Sequence, residues 1–271
     1  LAAHVERRTD SDEPILQGFG FRSSVWDSNP NAAQLDAVTG DRAAVLVSAD
    51  LHSVWCNTAA MRELGVQGDG FFREKASFDI QTQLSHVDPH VLDGWVGSCG
   101  GAAARLGIVG IRDMEFDTDV ETWLRREADG RCPLRVEVSV YPERLDEAIA
   151  QGLATGQSPI TEKPGPSRVA MGPLKVIVDG SMSTRTAWCM DSYPSGGGPE
   201  GTGIDSVTPE DLVELMRRAK AANLQCAAHA IGDRAVREVL DAFETTGISG
   251  SVEHAQVLTD SDVPRFAKLG V

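Results

Sequence analysis

The chain has 271 residues, 41% of them hydrophobic and 24% charged, which is enough apolar content for one large core and excludes wholesale disorder. Its formal net charge of −15 argues against nucleic acid and anionic lipid as partners. The five cysteines (Cys56, Cys99, Cys132, Cys189, Cys226) are scattered, odd in number and without a CxxC pair, a pattern that argues against a disulfide framework or cysteine zinc ribbon and fits a reducing cytoplasm.

Along the chain, residues 1–107 read as a mixed helical and irregular region, an insertion expected to pack on a barrel. Within it, 42–48 is a buried strand, and Asn57 caps a helix that ends at Gly65. Residues 67–76 read as a glycine-containing loop. Asp88-Pro89 opens a second helix that stops at Gly107. From residue 108 the pattern becomes regular. Strands are expected at 108–114, 134–141, 174–178, 224–229 and 251–256. Helices are expected at 120–128, 145–152, 208–222, 233–246 and 259–269, with Thr208 and Pro209 opening the third of these. Strands alternating with helices imply a parallel sheet. The expected fold is therefore α/β, a TIM-type (β/α) barrel core over residues 108–271. The loop at 190–204, with glycines at 196–198, reads as a lid. The chain begins without methionine and stops at Phe266-Ala267-Lys268-Leu269-Gly270-Val271 as a new strand is about to begin, so it reads as a segment of a longer protein. No stretch of about 18 apolar residues is present to span a membrane, and no signal peptide is legible.

Three strands carry the chemistry. Lys175 lies inside the apolar run Leu174-Lys175-Val176-Ile177-Val178-Asp179-Gly180-Ser181. His229 ends Cys226-Ala227-Ala228-His229, and His254 ends Ser251-Val252-Glu253-His254. One histidine in an apolar strand is more often a satisfied core residue than a ligand. Two of them at the C-terminal ends of consecutive strands, 25 residues apart, sit where a barrel builds its active site, and neutral imidazole is the commonest nitrogen ligand of zinc. A lysine buried in a strand is costly as an ammonium. With a depressed pKa it can react with carbon dioxide to give a carbamate, an anionic oxygen ligand. It can equally form a Schiff base with a carbonyl substrate. The plain alternative is a lysine whose head reaches solvent from a strand end.

These runs, with Ala228-His229-Ala230-Ile231-Gly232-Asp233-Arg234-Ala235 and Val252-Glu253-His254-Ala255-Gln256, resemble the amidohydrolase superfamily. More narrowly they resemble its metal-dependent branch of YtcJ-like proteins and N-substituted formamide deformylases. Leu51-His52-Ser53-Val54-Trp55-Cys56-Asn57 matches a further segment of that branch, with leucine where glycine is usual. The resemblance runs from about residue 15 onward. It implies that Lys175, carboxylated, and His229 and His254 are catalytic metal ligands, holding one or two divalent ions, zinc first. It places His52 and Asn57 near the substrate pocket. Asp113, at a strand end, is a candidate to face that pocket, with a solvated loop carboxylate as the alternative, and Trp188 and Tyr193 are candidates to line it, although packing residues would look the same. Asp179, Asp233 and Arg234 read as support behind the ligands or as helix starts, with Asp233 a candidate cap for 233–246.

Two family elements fall outside the chain. Its six histidines, at 4, 52, 86, 90, 229 and 254, include no His-x-His pair; that pair is expected before residue 1, and a proton-shuttling aspartate after residue 271. The barrel is therefore expected to lack its first and last strands, and the segment to be inactive alone. An open barrel exposes two strand edges, so a homo-oligomer is expected. The overall expectation is a metal-dependent hydrolase of amide-type C–N bonds in a small-molecule substrate. A Schiff-base lyase using Lys175 and a non-catalytic binding domain remain as alternatives.

Overall fold

The computed structural model describes residues 14–85, 87–116, 118–159, 166–194 and 201–271. The chain forms two compact units, one of residues up to 86 together with 181–185, the other of 87–180 and 186–271.

The first unit is built on a four-stranded sheet of β1 (Leu16–Phe21), β2 (Ala44–Ser48), β3 (Ser53–Cys56) and β4 (Phe71–Arg73), in that order. β1 and β2 run parallel; the other pairs are antiparallel. Every residue of β2 is buried, because both faces of the strand are covered. Val45 and Val47 pack with Ala59, Ala60 and Ile80, while Ala44 and Leu46 pack with Leu16 and Leu35, the alternation a strand imposes. Helices α1 (Ala32–Thr39), α2 (Thr58–Leu64) and α3 (Glu74–Leu84) complete the unit. The sequence points to only one of these strands and to α2. β3 and β4 are four and three residues long, too short for periodicity to register, and β1 carries two glycines among its six residues, which break its apolar pattern. The expected loop at 67–76 instead contains β4 and the start of α3.

The second unit follows the β/α rhythm closely. Its five strands, β5 (Gly110–Asp113), β6 (Arg135–Val140), β7 (Val169–Ile177), β8 (Cys226–Ala230) and β9 (Gly250–His254), pair in sequential order, all parallel. The helices are α4 (Pro89–Arg105), α5 (Val120–Ala128), α6 (Leu145–Gln151), α7 (Pro209–Ala221), α8 (Asp233–Thr246) and α9 (Val263–Leu269). Thr208 caps α7 by accepting from the Asp211 amide, with Pro209 in the first turn. Asp93, buried on α4, pairs with Arg125 and Arg126 of α5, and those two guanidiniums pull its carboxyl down to about 2.

One face of this sheet is apolar. Val136, Val138, Met171, Leu174, Val176, Val178, Cys226, Ala228 and Ala230 form one core with Leu212, Met216, Leu240 and Phe243 from the helices. The other face is polar, and it is concave. In a flat sheet β5 and β9, four strands apart, would lie roughly 19 Å from each other. Arg112 of β5 nevertheless reaches β9, with a guanidinium nitrogen 3.5 Å from Ser251 Oγ and 4.0 Å from Glu253 Oε1. The five strands are therefore curled into a half-barrel.

β7 begins five residues before the 174–178 run because Gly172-Pro173 does not break it. Met171 and Leu174 lie opposite Val138 and Val140, so β7 carries one extra residue there. That bulge is where a proline is tolerated. It also keeps Leu174 on the core side and turns Lys175 to the concave side. A side chain at Gly172 would strike the Val138 carbonyl carbon at 2.7 Å.

Candidate metal centre

Register fixes which residues share the concave face. Lys175 is paired with Ala227 and Ala227 with Ser251; Ile177 is paired with His229 and His229 with Glu253. Registered neighbours in a parallel sheet project to the same side. Lys175 and His229 therefore face the same way, one strand apart and two residues, roughly 7 Å, offset along it. Lys175 is 5% exposed. Burial lowers its pKa to about 8, against the opposing pull of the Glu253 carboxylate.

His254 should face the other way, since it is paired with Ala230 of the apolar face. Its backbone changes this. His254 has φ +75° and Ala255 φ +43°, left-handed values that non-glycine residues rarely adopt. The turn is anchored by the Ala255 amide donating to the Ala230 carbonyl (3.0 Å) and the Val257 amide to the Ile231 carbonyl (2.9 Å). It brings the His254 ring edge-on to the His229 ring, with centres 4.6 Å apart. A ring nitrogen ligates zinc at about 2.0–2.1 Å, which puts each ring centre a little over 3 Å from the ion. Two rings sharing one ion then have centres roughly 5 Å apart, close to the spacing found. Among the described residues no three His, Cys, Asp or Glu side chains converge on one point; the donors on this face are the two adjacent imidazoles and, one strand over, the Lys175 amine. That set fits a nitrogen- and oxygen-binding divalent ion once the lysine is carboxylated.

His229 is held from behind. Its Nε2 lies 3.1 Å from the Gly180 carbonyl oxygen and 3.4 Å from Asp179 Oδ1. Asp179 is fully buried. Its carboxylate accepts from the amides of Ile231 (3.0 Å), Gly232 (2.8 Å) and Trp188 (2.9 Å), which supplies the donors a buried charge requires.

The remaining expected site residues are placed as follows. The Asp113 carboxylate accepts from the Glu115 amide, Thr118 Oγ1 and the Trp123 indole. Trp188 is 9% exposed within the core, its ring covered by the Arg234 guanidinium at 4.5 Å. The Tyr193 hydroxyl donates to the Ala187 carbonyl (2.9 Å). Asp233 does not cap α8. Gly232 holds that position, and the Asp233 carboxylate accepts from the Met190 amide instead (2.8 Å). Glycines 196–198 of the expected lid lie outside the described residues. His52 and Asn57 belong to the first unit. His52 Nδ1 is 3.0 Å from Glu74 Oε2, and that carboxylate raises the imidazole pKa. Asn57 is fully buried. Its carbonyl oxygen accepts from the amides of Ala60 and Ala44, and its amide nitrogen donates to Thr39 Oγ1 and the Arg42 carbonyl. All four of its hydrogen-bonding positions are thus used inside the fold.

Sequence reasoning missed the polar partners of the concave face: Arg112, Glu137, Ser251 and Glu253. Arg112 bonds Glu137 (2.9 Å), and Ser251 Oγ donates to Glu253 (2.6 Å). The available signal was charged residues alternating with apolar ones in β6 and β9, which in the linear sequence looks like an ordinary solvated face.

The sequence profile of the amidohydrolase family matches residues 1–271. A Bacillus subtilis protein named as an amidohydrolase, YtcJ, is 25% identical over 100% of this chain and 54% of its own length. The LONG AFTER FAR-RED 3 protein of Arabidopsis thaliana is 31% identical over 94% of this chain and 49% of its own. Among solved structures, uncharacterized metal-dependent hydrolases from Pyrococcus horikoshii and Pyrococcus furiosus superpose on 99% of this chain. Their TM-scores are 0.74 and 0.71 at 24% and 26% identity, and the match covers 55% and 57% of those chains. The chain spans about half the length of the relatives it matches.

Proposed function

The chain belongs to the amidohydrolase family, and from that premise we propose that the protein is a metal-dependent hydrolase of amide-type C–N bonds in small-molecule substrates. In this reading Lys175, His229 and His254 hold a divalent ion, zinc first. The observation that carries the proposal is the pairing of the two imidazoles, their centres 4.6 Å apart, on a concave face that also carries a desolvated lysine. The Pyrococcus structures are named as metal-dependent hydrolases, which supports a metal here too.

When bound, such an ion supplies Lewis-acid polarisation of a carbonyl and makes water acidic near neutral pH. The protein's part begins with His229. With Nε2 donating to the Gly180 carbonyl, the neutral ring carries its lone pair on Nδ1, the nitrogen offered to a cation. Lys175 with a pKa near 8 is about one-fifth neutral amine near pH 7.4, far more than an ordinary lysine offers. The amine nitrogen adds to carbon dioxide and releases one proton, giving a carbamate whose single negative charge is shared by two oxygens that face the concavity. Arg112, on the same face, offers a positive charge to that region while remaining bonded to Glu137.

The test is metal analysis of the full-length protein, zinc titration after chelation, and turnover of a panel of N-formyl and N-acyl amides. Zinc bound at or above one equivalent, with turnover that chelation abolishes and zinc restores, is the expected result. A protein that binds no divalent ion and is instead trapped by borohydride at Lys175 with a carbonyl compound would replace this reading with Schiff-base chemistry, which a depressed lysine pKa also serves.

A further inference from the structure

We infer that Asp179 is a positioning residue, fixing His229 in the tautomer with the proton on Nε2 and so directing Nδ1 at the cation; the inference rests on the metal-centre reading above. Asp179 lies two residues past β7, where the strand's last turn meets the ends of β8 and the 186–188 segment. Its carboxylate is the common acceptor for three peptide amides from two of these segments: Trp188 from one, Ile231 and Gly232 from the other. The two carboxylate oxygens therefore hold the exit of the histidine strand at a fixed distance from the exit of the lysine strand.

The local glycines show how tight this junction is. A Cβ at Gly232 would lie 2.0 Å from the Trp188 carbonyl oxygen, and one at Gly180 would lie 2.1 Å from Thr186 Oγ1. At Gly232 the neighbour is backbone, and backbones that close leave no slack for an alternative packing of those two segments. Into this junction His229 directs Nε2, toward the Gly180 carbonyl and Asp179 Oδ1. Both are pure acceptors, so the hydrogen belongs on Nε2 and the lone pair on Nδ1. A carboxylate behind a ligating histidine orients the ring and raises its basicity, and removing such a partner weakens metal binding by 10- to 100-fold.

An asparagine at 179 keeps the shape but offers one acceptor oxygen and an NH2 group where three amides now find acceptors. At least one buried amide is left facing a donor, and the junction that sets the Gly180 carbonyl relaxes.

The test uses the full-length protein. Histidine tautomers are read by 15N NMR, and zinc affinity is measured by calorimetry after chelation, for wild type, D179N and D179S, the last leaving room for a water in the carboxylate's place. Each variant is first checked by far-UV circular dichroism. The expected result is an Nε2–H tautomer for His229 in wild type, lost in whichever variant keeps the wild-type spectrum, together with a 10- to 100-fold fall in zinc affinity. An Nδ1–H tautomer in wild type overturns the inference. So does a folded variant that keeps both the Nε2–H tautomer and wild-type zinc affinity within about twofold. If H229A binds zinc as tightly as wild type, the metal-centre reading itself fails; the tautomer comparison still decides whether Asp179 holds the ring.

Discussion

Replacing Lys175 with methionine should make the metal-free protein more stable at neutral pH. Lys175 is 5% exposed, and burial lowers its pKa from 10.5 to about 8. A folded-state pKa below the unfolded value means that between pH 8 and 10.5 the unfolded chain holds a proton the folded chain has released. Stability therefore rises with pH across that window, by about 1.4 kcal/mol per unit, and the full penalty is present below pH 8. The span corresponds to about 3 kcal/mol. Methionine fills a similar volume without a charge, so K175M should gain up to about 3 kcal/mol at pH 7. The gain should shrink between pH 8 and 10.5, where wild type no longer carries the burden. Urea unfolding of both proteins at pH 7, 9 and 10.5, in carbon dioxide-free buffer with chelator, measures it. The difference between the two proteins cancels the other groups that titrate in alkali. A K175M protein that is less stable than wild type at pH 7, or a difference that does not change with pH, refutes the reasoning. The same variant should lose zinc binding, so the stabilisation and the loss of the ligand would appear together.

Three further outcomes follow from particular contacts. Asparagine tolerates left-handed backbone better than most residues, so H254N should keep wild-type stability to within about 0.5 kcal/mol while zinc affinity falls at least tenfold; unaltered affinity by calorimetry would remove His254 from the centre. N57A deletes four hydrogen bonds, one of them the cap of α2, and should lower the stability of the first unit by about 3 kcal/mol in urea; a loss under about 1 kcal/mol would contradict the placement of its amide. Ser139 Oγ is buried with no hydrogen-bond partner among the described residues, so S139A should be neutral or stabilising by up to about 1 kcal/mol, and a loss larger than that would reveal an acceptor for its hydroxyl.

The sequence alone determined the second unit well. Its strands and helices alternate with clear periodicity, and Thr208-Pro209 and Asp88-Pro89 mark helix starts by chemistry that acts within one turn. These are local effects, so a linear reading captures them. It also picked out Lys175, His229 and His254, because polar, metal-capable side chains stand out inside apolar runs. The first unit was largely illegible, since β3 and β4 are short, glycines interrupt the pattern of β1, and all three are held by pairing with neighbouring strands rather than by their own pattern. What only the tertiary structure decided is the side to which each of the three side chains projects. Strand alternation by itself assigns His254 to the apolar face; the left-handed turn at 254–255 turns it toward His229. The bulge at Gly172-Pro173 sets the side on which Lys175 projects. Asp179, a plain strand-end carboxylate in the sequence, becomes the acceptor that locks two strand exits and one imidazole, because its donors come from residues 9 to 53 positions away and only the folded sheet brings them together.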